Sequence, residues 1–110
     1  MVADRPETLK GSTVVVKTGL GKIYITVNEV NEKPFEIFVT AGKSGKSVQA
    51  KAEAIGRLAS LSLRSGADVS DVIRQLAGIS GDKNMNDPYL GLVLSIPDAI
   101  AKVLVKLYPS

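Results

Sequence analysis

Residues 35–64, FEIFVTAGKSGKSVQAKAEAIGRLASLSLR, contain the change from strand to helix that decides the fold. Residues 35–40 are rich in aromatic and β-branched side chains, which predicts a strand. Residues 47–64 carry apolar side chains at helical spacing, and Ser65-Gly66 is a typical helix end. A Gly/Lys/Ser loop joins the two elements. A loop of this kind at a helix N-terminus can present backbone N–H groups to an anion.

The loop and the helix after it therefore predict a phosphate or anion site that uses backbone N–H groups, lysines and arginines. Its candidate residues are Gly42, Lys43, Ser44, Gly45, Lys46, Ser47, Arg57 and Arg64. In an alternative interpretation, the glycines only let the chain turn from strand to helix, and the arginines are ordinary solvated side chains.

The loop does not have the spacing of a Walker-type nucleotide site. That pattern requires Gly, four residues and then Gly-Lys-Ser/Thr. The first Gly would fall on Thr40 in one register and on Ile37 in the other. The spacing therefore argues against a Walker-type ATPase or GTPase, while a simpler anion site stays open.

Two further strands are predicted before this segment, at residues 13–18 and 23–27. A turn at residues 19–22 and a polar loop at residues 28–34 separate the strands, and such short links favour an antiparallel meander. Residues 1–10 are predicted to form an extended arm, and residues 11–110 a single domain.

Two more helices are predicted after the long one. The first spans residues 68–77, with Asp68 as its cap, and the second begins at Ser95 with Pro97 and Asp98 in its first turn. Between them, residues 79–89 are predicted to be an irregular loop and residues 90–94 a short strand. The order predicts an α+β fold: a small antiparallel meander of three strands, or four if residues 90–94 join it, packed on one face by about three helices.

The amino-acid composition limits the reactions that this chain could catalyse. The 110 residues include no Cys and no His, which excludes disulfides, thiolate chemistry and a histidine general base. The net charge of +3 permits a polyanionic partner without requiring one. No apolar run has the length of a membrane span, and residues 1–10 lack a signal-peptide core. A cytoplasmic protein without membrane contact is therefore expected.

Two other groups of residues are candidates for a function. Asp82, Asp87, Asn84 and Asn86 could offer oxygen ligands to a cation, but calcium-loop spacing is absent, and a flexible solvated turn is favoured. Tyr24 and Phe38 could stack nucleic-acid bases, or they could be sheet-face or core residues.

Eight segments of the chain, in order and with matching spacing, resemble the C-terminal TSCPD domain of adenosylcobalamin-dependent (class II) ribonucleotide reductases. They are residues 5–11 (RPETLKG), 17–28 (KTGLGKIYITVN), 33–36 (KPFE), 42–45 (GKSG), 53–58 (EAIGRL), 63–66 (LRSG), 75–78 (QLAG) and 95–102 (SIPDAIAK).

The chain departs from that family at its cysteines. The run that names the family, Thr-Ser-Cys-Pro-Asp, reads Leu-Ser-Ile-Pro-Asp here, with Ile96 at the Cys position. Cysteines that family members often carry at Leu20 and near Ser80 are missing too. The metal associated with those cysteines is therefore not expected here, and the chain is similar to a cysteine-free branch of the family.

The resemblance implies a non-catalytic accessory domain or small subunit in deoxyribonucleotide synthesis. The reductase barrel, its radical-bearing cysteine and its adenosylcobalamin would belong to a partner catalytic chain. The domain could be a free-standing companion, a piece of a longer reductase or a relative with a new role. If it is part of an enzyme, that enzyme is a ribonucleoside-diphosphate reductase; alone, it offers no catalytic set. A nucleotide- or nucleic-acid-binding module remains the alternative, and a homo-oligomer is also open.

Overall fold

The computed structural model describes residues 1–43 and 45–109, and this part of the chain forms five strands and three helices. In chain order they are β1 (Lys10–Thr18), β2 (Gly21–Val30), β3 (Lys33–Thr40), α1 (Lys46–Arg64), α2 (Val69–Leu76), β4 (Met85–Asp87), β5 (Gly91–Val93) and α3 (Ile96–Leu107). The predicted α+β fold class is confirmed.

The three-stranded sheet is the predicted antiparallel meander, in the order β1-β2-β3. Its strands are longer than predicted, and β1 already begins at the last residue of the predicted arm. The polar loop predicted at residues 28–34 is wrong. Only Asn31 and Glu32 separate β2 from β3, with φ of 52° and 66°. Two consecutive residues in the left-handed region are typical of a type I′ hairpin turn.

One face of this sheet forms the core. Alternate strand residues point to that face, and small or aliphatic side chains of α1 and α3 pack over them. The main core residues are Val16, Ile23, Ile25, Val27, Ile37, Val39, Ala52, Ala59, Ala99, Ile100, Val103 and Leu104. The helices thus cover one face, as predicted, and the N-terminal arm covers part of the other face through Arg5.

Helix α1 also covers the outer edge of β3. The Ser60 hydroxyl accepts a hydrogen bond from the Ile37 N–H (2.8 Å) and donates one to the Ile37 carbonyl (3.1 Å). The Gln49 side-chain oxygen accepts from the Ala41 N–H at 2.7 Å. A Cβ at Gly56 would lie 3.1 Å from the Ile37 carbonyl oxygen, so glycine permits this close approach. Helix α1 therefore satisfies the outward-facing polar groups of Ile37 and the N–H of Ala41 at the β3 edge.

Strand β5 forms within the predicted segment 90–94, but it does not join the meander. It pairs with β4 in a separate two-stranded sheet. Strand β4 lies inside residues 79–89, so the prediction of a wholly irregular loop there is wrong.

Asp87, at the end of β4, is buried rather than solvated, so the predicted flexible turn is wrong at this residue. Its carboxylate accepts hydrogen bonds from the N–H groups of Lys17 (2.8 Å), Tyr89 (2.9 Å) and Leu90 (2.9 Å). Burial alone raises the pKa of Asp87, but these three donors outweigh it and hold the pKa below its ordinary value. Asp87 therefore attaches the small sheet to β1.

The two predicted helix caps differ. Ser95 caps α3 by accepting the Asp98 N–H at 3.1 Å, as predicted. Asp68 is the N-cap residue of α2, as predicted, but its side chain makes no cap hydrogen bond. Within residues 1–43 and 45–109, no helix has both the length and the apolar character needed to cross a bilayer.

Candidate functional site

The loop after β3 turns through two glycines in the left-handed region. Gly42 has φ 60° and Gly45 has φ 97°, backbone conformations that favour glycine. A side chain at Gly42 would also approach the Lys22 carbonyl oxygen at 3.3 Å. The glycines thus perform the turn that the alternative interpretation gave them. Ser44, a predicted site residue, lies outside the described residues.

The N-terminus of α1 retains its capacity for an anion. Gly45 is its N-cap and offers no side chain, and the first turn holds no acidic residue. The first N–H groups of a helix have no partner within the helix, and they mark the positive end of its dipole. This end of α1 is therefore electropositive, and Lys43 and Lys46 beside it add to that field.

Five of the eight predicted site residues line one surface groove of about 740 Å³ at this end of α1. They are Gly42, Lys43, Gly45, Lys46 and Arg57. Ser47 is exposed nearby but does not line the groove.

The groove contains a negative charge as well. Glu53 lines it and pairs with Arg57 at 2.9 Å; both side chains are largely exposed. The two residues are four apart on α1, the spacing of an i,i+4 ion pair on a helix surface. Arg57 can still turn toward a ligand, because exposed pairs of this kind are weak.

Arg64 binds the N-terminal arm instead of lining this groove. Its guanidinium donates to the Ala3 carbonyl through Nε (3.1 Å) and Nη2 (2.9 Å), and the Ala3 N–H donates to the Arg64 carbonyl at 2.9 Å. The same guanidinium lies 5.1 Å from the centroid of the Phe35 ring. Arg57 and Arg64 do line a common cleft of about 540 Å³ between β3 and α1. Arg64, however, holds the N-terminal arm.

Tyr24 and Phe38 lie on the sheet face away from the core, with exposed fractions of 41% and 53%. Tyr24 pairs with Thr40 and Phe38 with Thr26, which makes the two aromatic residues diagonal neighbours. The Tyr24 ring comes within 3.7 Å of the Cβ position of Gly42, and Phe38 lines the cleft between β3 and α1. Tyr24 therefore borders the glycine loop, whereas Phe38 borders the neighbouring cleft between β3 and α1.

A buried ionic network ties the N-terminal arm to the sheet. Arg5 donates to both oxygens of Glu36, at 2.9 and 3.0 Å, and the Asn28 amide donates to Glu36 Oε2 at 2.7 Å. Glu36 is only 3% exposed. Burial raises the pKa of Glu36, but the hydrogen bonds from Arg5 and Asn28 prevail and lower it. The sequence did not reveal this role, although an acidic residue inside an apolar strand was a signal.

A second network centres on Asp98, which is 2% exposed. Its carboxylate accepts from the N–H groups of Gly78 and Leu94, both at 2.9 Å, and from Lys102 Nζ at 2.6 Å. Burial raises the pKa of Asp98, yet these donors outweigh it, and the pKa lies below its ordinary value. Asp98 thereby joins the end of α2, the end of β5 and the start of α3.

The comparison with known families agrees with these motifs. The TSCPD domain family model matches residues 1–108. The chain belongs to the TSCPD domain family. The TSCPD domain is linked to ribonucleotide reductases. Comparisons with curated proteins and with solved structures gave no significant match.

In this TSCPD domain, both buried networks are built from the segments that carry the family resemblance. The residues concerned are Arg5, Asn28, Glu36, Gly78, Asp98 and Lys102. Their polar atoms bond to one another or to backbone groups. These family motifs therefore specify the fold.

The loops that correspond to the family's cysteines lie close together in this TSCPD domain. A Cβ at Gly19 would overlap Lys83, and the Gly81 N–H donates to the Leu94 carbonyl at 2.9 Å. The namesake position, Ile96, is buried in the core. Among the described residues, no three His, Cys, Asp or Glu side chains come together as metal ligands.

Proposed function

We propose that this chain is a non-catalytic accessory domain or small subunit of an adenosylcobalamin-dependent ribonucleoside-diphosphate reductase. It docks to the catalytic chain or assists its assembly, and so serves deoxyribonucleotide synthesis. One observation carries the proposal: a TSCPD match over residues 1–108 whose polar motif side chains are engaged inside the domain.

The state of those side chains supports an accessory role. A catalytic acid or base must reach the proton that it transfers. Glu36 and Asp98 are buried, and each accepts three hydrogen bonds from within the domain. The chain also has no His and no Cys, so it supplies neither an imidazole nor a thiolate ligand for cobalt. The proposal accordingly assigns adenosylcobalamin and the radical chemistry to the catalytic chain.

A docking role also needs accessible apolar surface. The groove between α1 and α2, about 310 Å³, is lined mainly by apolar side chains, among them Ile55, Leu58, Val72 and Leu76. Leu58 is 66% exposed. Apolar clefts on helical surfaces are a common mode of partner recognition, so we place the contact with the catalytic chain here.

The test combines the purified chain with the ribonucleotide reductase catalytic chain of the same organism. Co-elution and ribonucleotide reduction are measured with the wild type and with Leu58→Glu. Leu61→Glu is the matched control, because Leu61 is also an exposed leucine of α1 but lines the cleft on the other side of the helix.

We expect the wild type and Leu61→Glu to co-elute with the catalytic chain and to change its activity. Leu58→Glu should weaken the complex by at least about tenfold, because a buried charge without a partner is costly. If the wild type neither co-elutes nor alters activity, the accessory role is wrong. If the two substitutions had equal effects, the accessory role would stand, but the groove between α1 and α2 would not be the contact with the catalytic chain.

A second candidate is a nucleotide- or nucleic-acid-binding module, favoured by the grouping of Lys43, Lys46 and Arg57 in one groove beside Tyr24. Phosphate would contact the lysines and the N-terminus of α1, and a base would stack on an aromatic ring. Glu53 opposes this role, since its carboxylate lies in the same groove.

Calorimetry with ATP, dATP and short oligonucleotides at two salt concentrations tests this candidate. Binding should weaken as salt rises and should be lost in a Lys43→Ala/Lys46→Ala variant. Lys51→Ala is the control, because Lys51 is an exposed α1 lysine that does not line the groove. The candidate is rejected if none of the ligands produces heat with the wild type.

A further inference from the structure

The two edges of the three-stranded sheet differ. The β3 edge is covered by α1 through Ser60 and Gln49. On the β1 edge, the Lys17 N–H points away from β2, because it donates to Asp87 at 2.8 Å. Backbone directions alternate along a strand, so the polar groups of Gly11, Thr13 and Val15 also point outward. Within the described part of the chain, no hydrogen bond reaches those backbone groups.

The small sheet lies against this edge at Lys17, and the stretch before it, residues 11–15, lacks the other usual protection against pairing. Natural edge strands carry charges, prolines or bulges, or are covered by another element. Residues 11–15 read GSTVV, with no charge and no proline. The register between β1 and β2 runs from Lys10 to Thr18 without a shift, so the edge has no bulge. The segment is therefore a regular strand edge open to a further strand.

We propose that two copies of this chain pair through β1, antiparallel about a two-fold axis at Thr13, and so double the three-stranded sheet. Thr13 lies opposite Thr13 of the second copy, and Gly11 lies opposite Val15. Asp87 restricts the register, since it already occupies the Lys17 N–H and blocks any pairing centred nearer the end of β1. Thr13 is the centre of the open stretch.

A second copy suits this edge better than an arbitrary strand because the segment is self-complementary. The two-fold arrangement is closed, with the same residues used on both sides. In the stated register Lys10 faces Val16, and Lys17, whose N–H is held by Asp87, lies beyond the paired stretch, so no lysine opposes another. The ladder gives about six backbone hydrogen bonds. Because its area is small, the dimer should depend on concentration.

Sedimentation of the full chain from about 1 µM to about 1 mM tests the proposal. Thr13→Lys places two like charges at the axis, and we expect the dimer to weaken by at least about tenfold. Thr40→Lys is the control: Thr40 is an exposed threonine of the same sheet face, on the covered strand β3. Circular dichroism verifies that both variants are folded.

A cross-link tests the register independently of folding stability. The chain has no Cys, so Thr13→Cys introduces a single thiol. Residues opposite each other in a hydrogen-bonded antiparallel pair have Cα atoms about 5.5 Å apart, within reach of a short thiol cross-linker. We expect Thr13→Cys to cross-link and Thr40→Cys not to. A chain that stays monomeric throughout overturns the proposal, as does a dimer insensitive to Thr13→Lys or equal cross-linking of the two cysteine variants.

Discussion

Replacing Asp98 with asparagine should destabilise the domain by about 3 kcal/mol. Both Asp98 oxygens accept hydrogen bonds, one from Gly78 and the other from Leu94 and Lys102. An amide can accept on one side only. If the NH₂ group of the asparagine faces Gly78, the side-chain oxygen still accepts the hydrogen bonds from Leu94 and Lys102. The Gly78 N–H then has no acceptor.

The magnitude follows from these contacts. A lost hydrogen bond to a charged group costs about 1.5–3 kcal/mol. Removing a negative charge from the first turn of α3 costs about 0.3–1 kcal/mol more. A domain of this size has roughly 5–15 kcal/mol of stability, so the Asp98→Asn variant should still fold.

Urea denaturation measures the change as a lower midpoint at constant slope. Asp82→Asn is the matched control: Asp82 is an exposed aspartate in the segment between α2 and β4, and surface changes usually stay within about 0.5 kcal/mol. A loss below about 1 kcal/mol for Asp98→Asn, or a loss equal to that of the control, would refute the reasoning.

The pH dependence supplies a second check. The pKa of Asp98 in the folded domain lies below its ordinary value of 3.8. A carboxylate of this kind stabilises the fold fully above its unfolded-state pKa, and the contribution is lost as pH falls through its folded-state pKa. The difference between wild type and Asp98→Asn should therefore be greatest at pH 7 and shrink below about pH 4. A difference that stays constant down to the lowest pH at which both proteins fold would contradict this origin.

Three further changes test other parts of the fold. Glu32→Gly should raise the free energy of unfolding by roughly 0.5–1 kcal/mol, because glycine suits the type I′ turn. This gain should appear as a higher thermal midpoint, and Glu32→Ala should not produce it. Ser60→Ala leaves the Ile37 N–H without an acceptor and should lower the free energy of unfolding by about 1–2 kcal/mol, measured by urea denaturation. Ser62 is exposed, so Ser62→Ala should lower it by less than about 0.5 kcal/mol. Arg5→Lys loses the two-pronged pairing with the buried carboxylate, so hydrogen exchange of the amides in residues 1–6 should accelerate while exchange in the core is unchanged.

Much of the meander could be predicted because its signal is local. Alternation at Ile23, Ile25 and Val27 predicts one buried face, and the predicted face is correct. The β2–β3 turn was missed because Asn31-Glu32 lacks the glycine that usually marks a type I′ turn. Turn geometry there is imposed by pairing along two long strands rather than by the turn residues.

Strand β4 could not be predicted, because its cause is distant in sequence. Met85–Asp87 has three residues and no apolar alternation. Its position depends on the Asp87 carboxylate, whose donors include the Lys17 N–H, 70 residues away along the chain. A local pattern contains no information about such a contact.

The candidate anion site was also predictable only in part. The glycine loop and its lysines could be placed together, since they adjoin one helix N-terminus. Arg64 seemed equivalent to Arg57 because the two lie two helical turns apart. Of the two, only Arg64 donates hydrogen bonds to the Ala3 carbonyl. Helical spacing carries no information about the path of the N-terminal arm, so this difference could not be predicted.

The structure separates residues that specify the fold from residues available to a partner, and this separation can be tested. Asp98→Asn should lower stability, and its effect on the reductase should be lost only at temperatures at which the variant is partly unfolded. Leu58→Glu should leave the urea midpoint within about 0.5 kcal/mol of wild type, because Leu58 is largely exposed, and yet weaken the complex. Restoring the folded fraction of Asp98→Asn by cooling should therefore restore its effect on the reductase. Leu58→Glu should not recover in this way, and if it did, its defect would be one of folding and the groove would lose its assigned role.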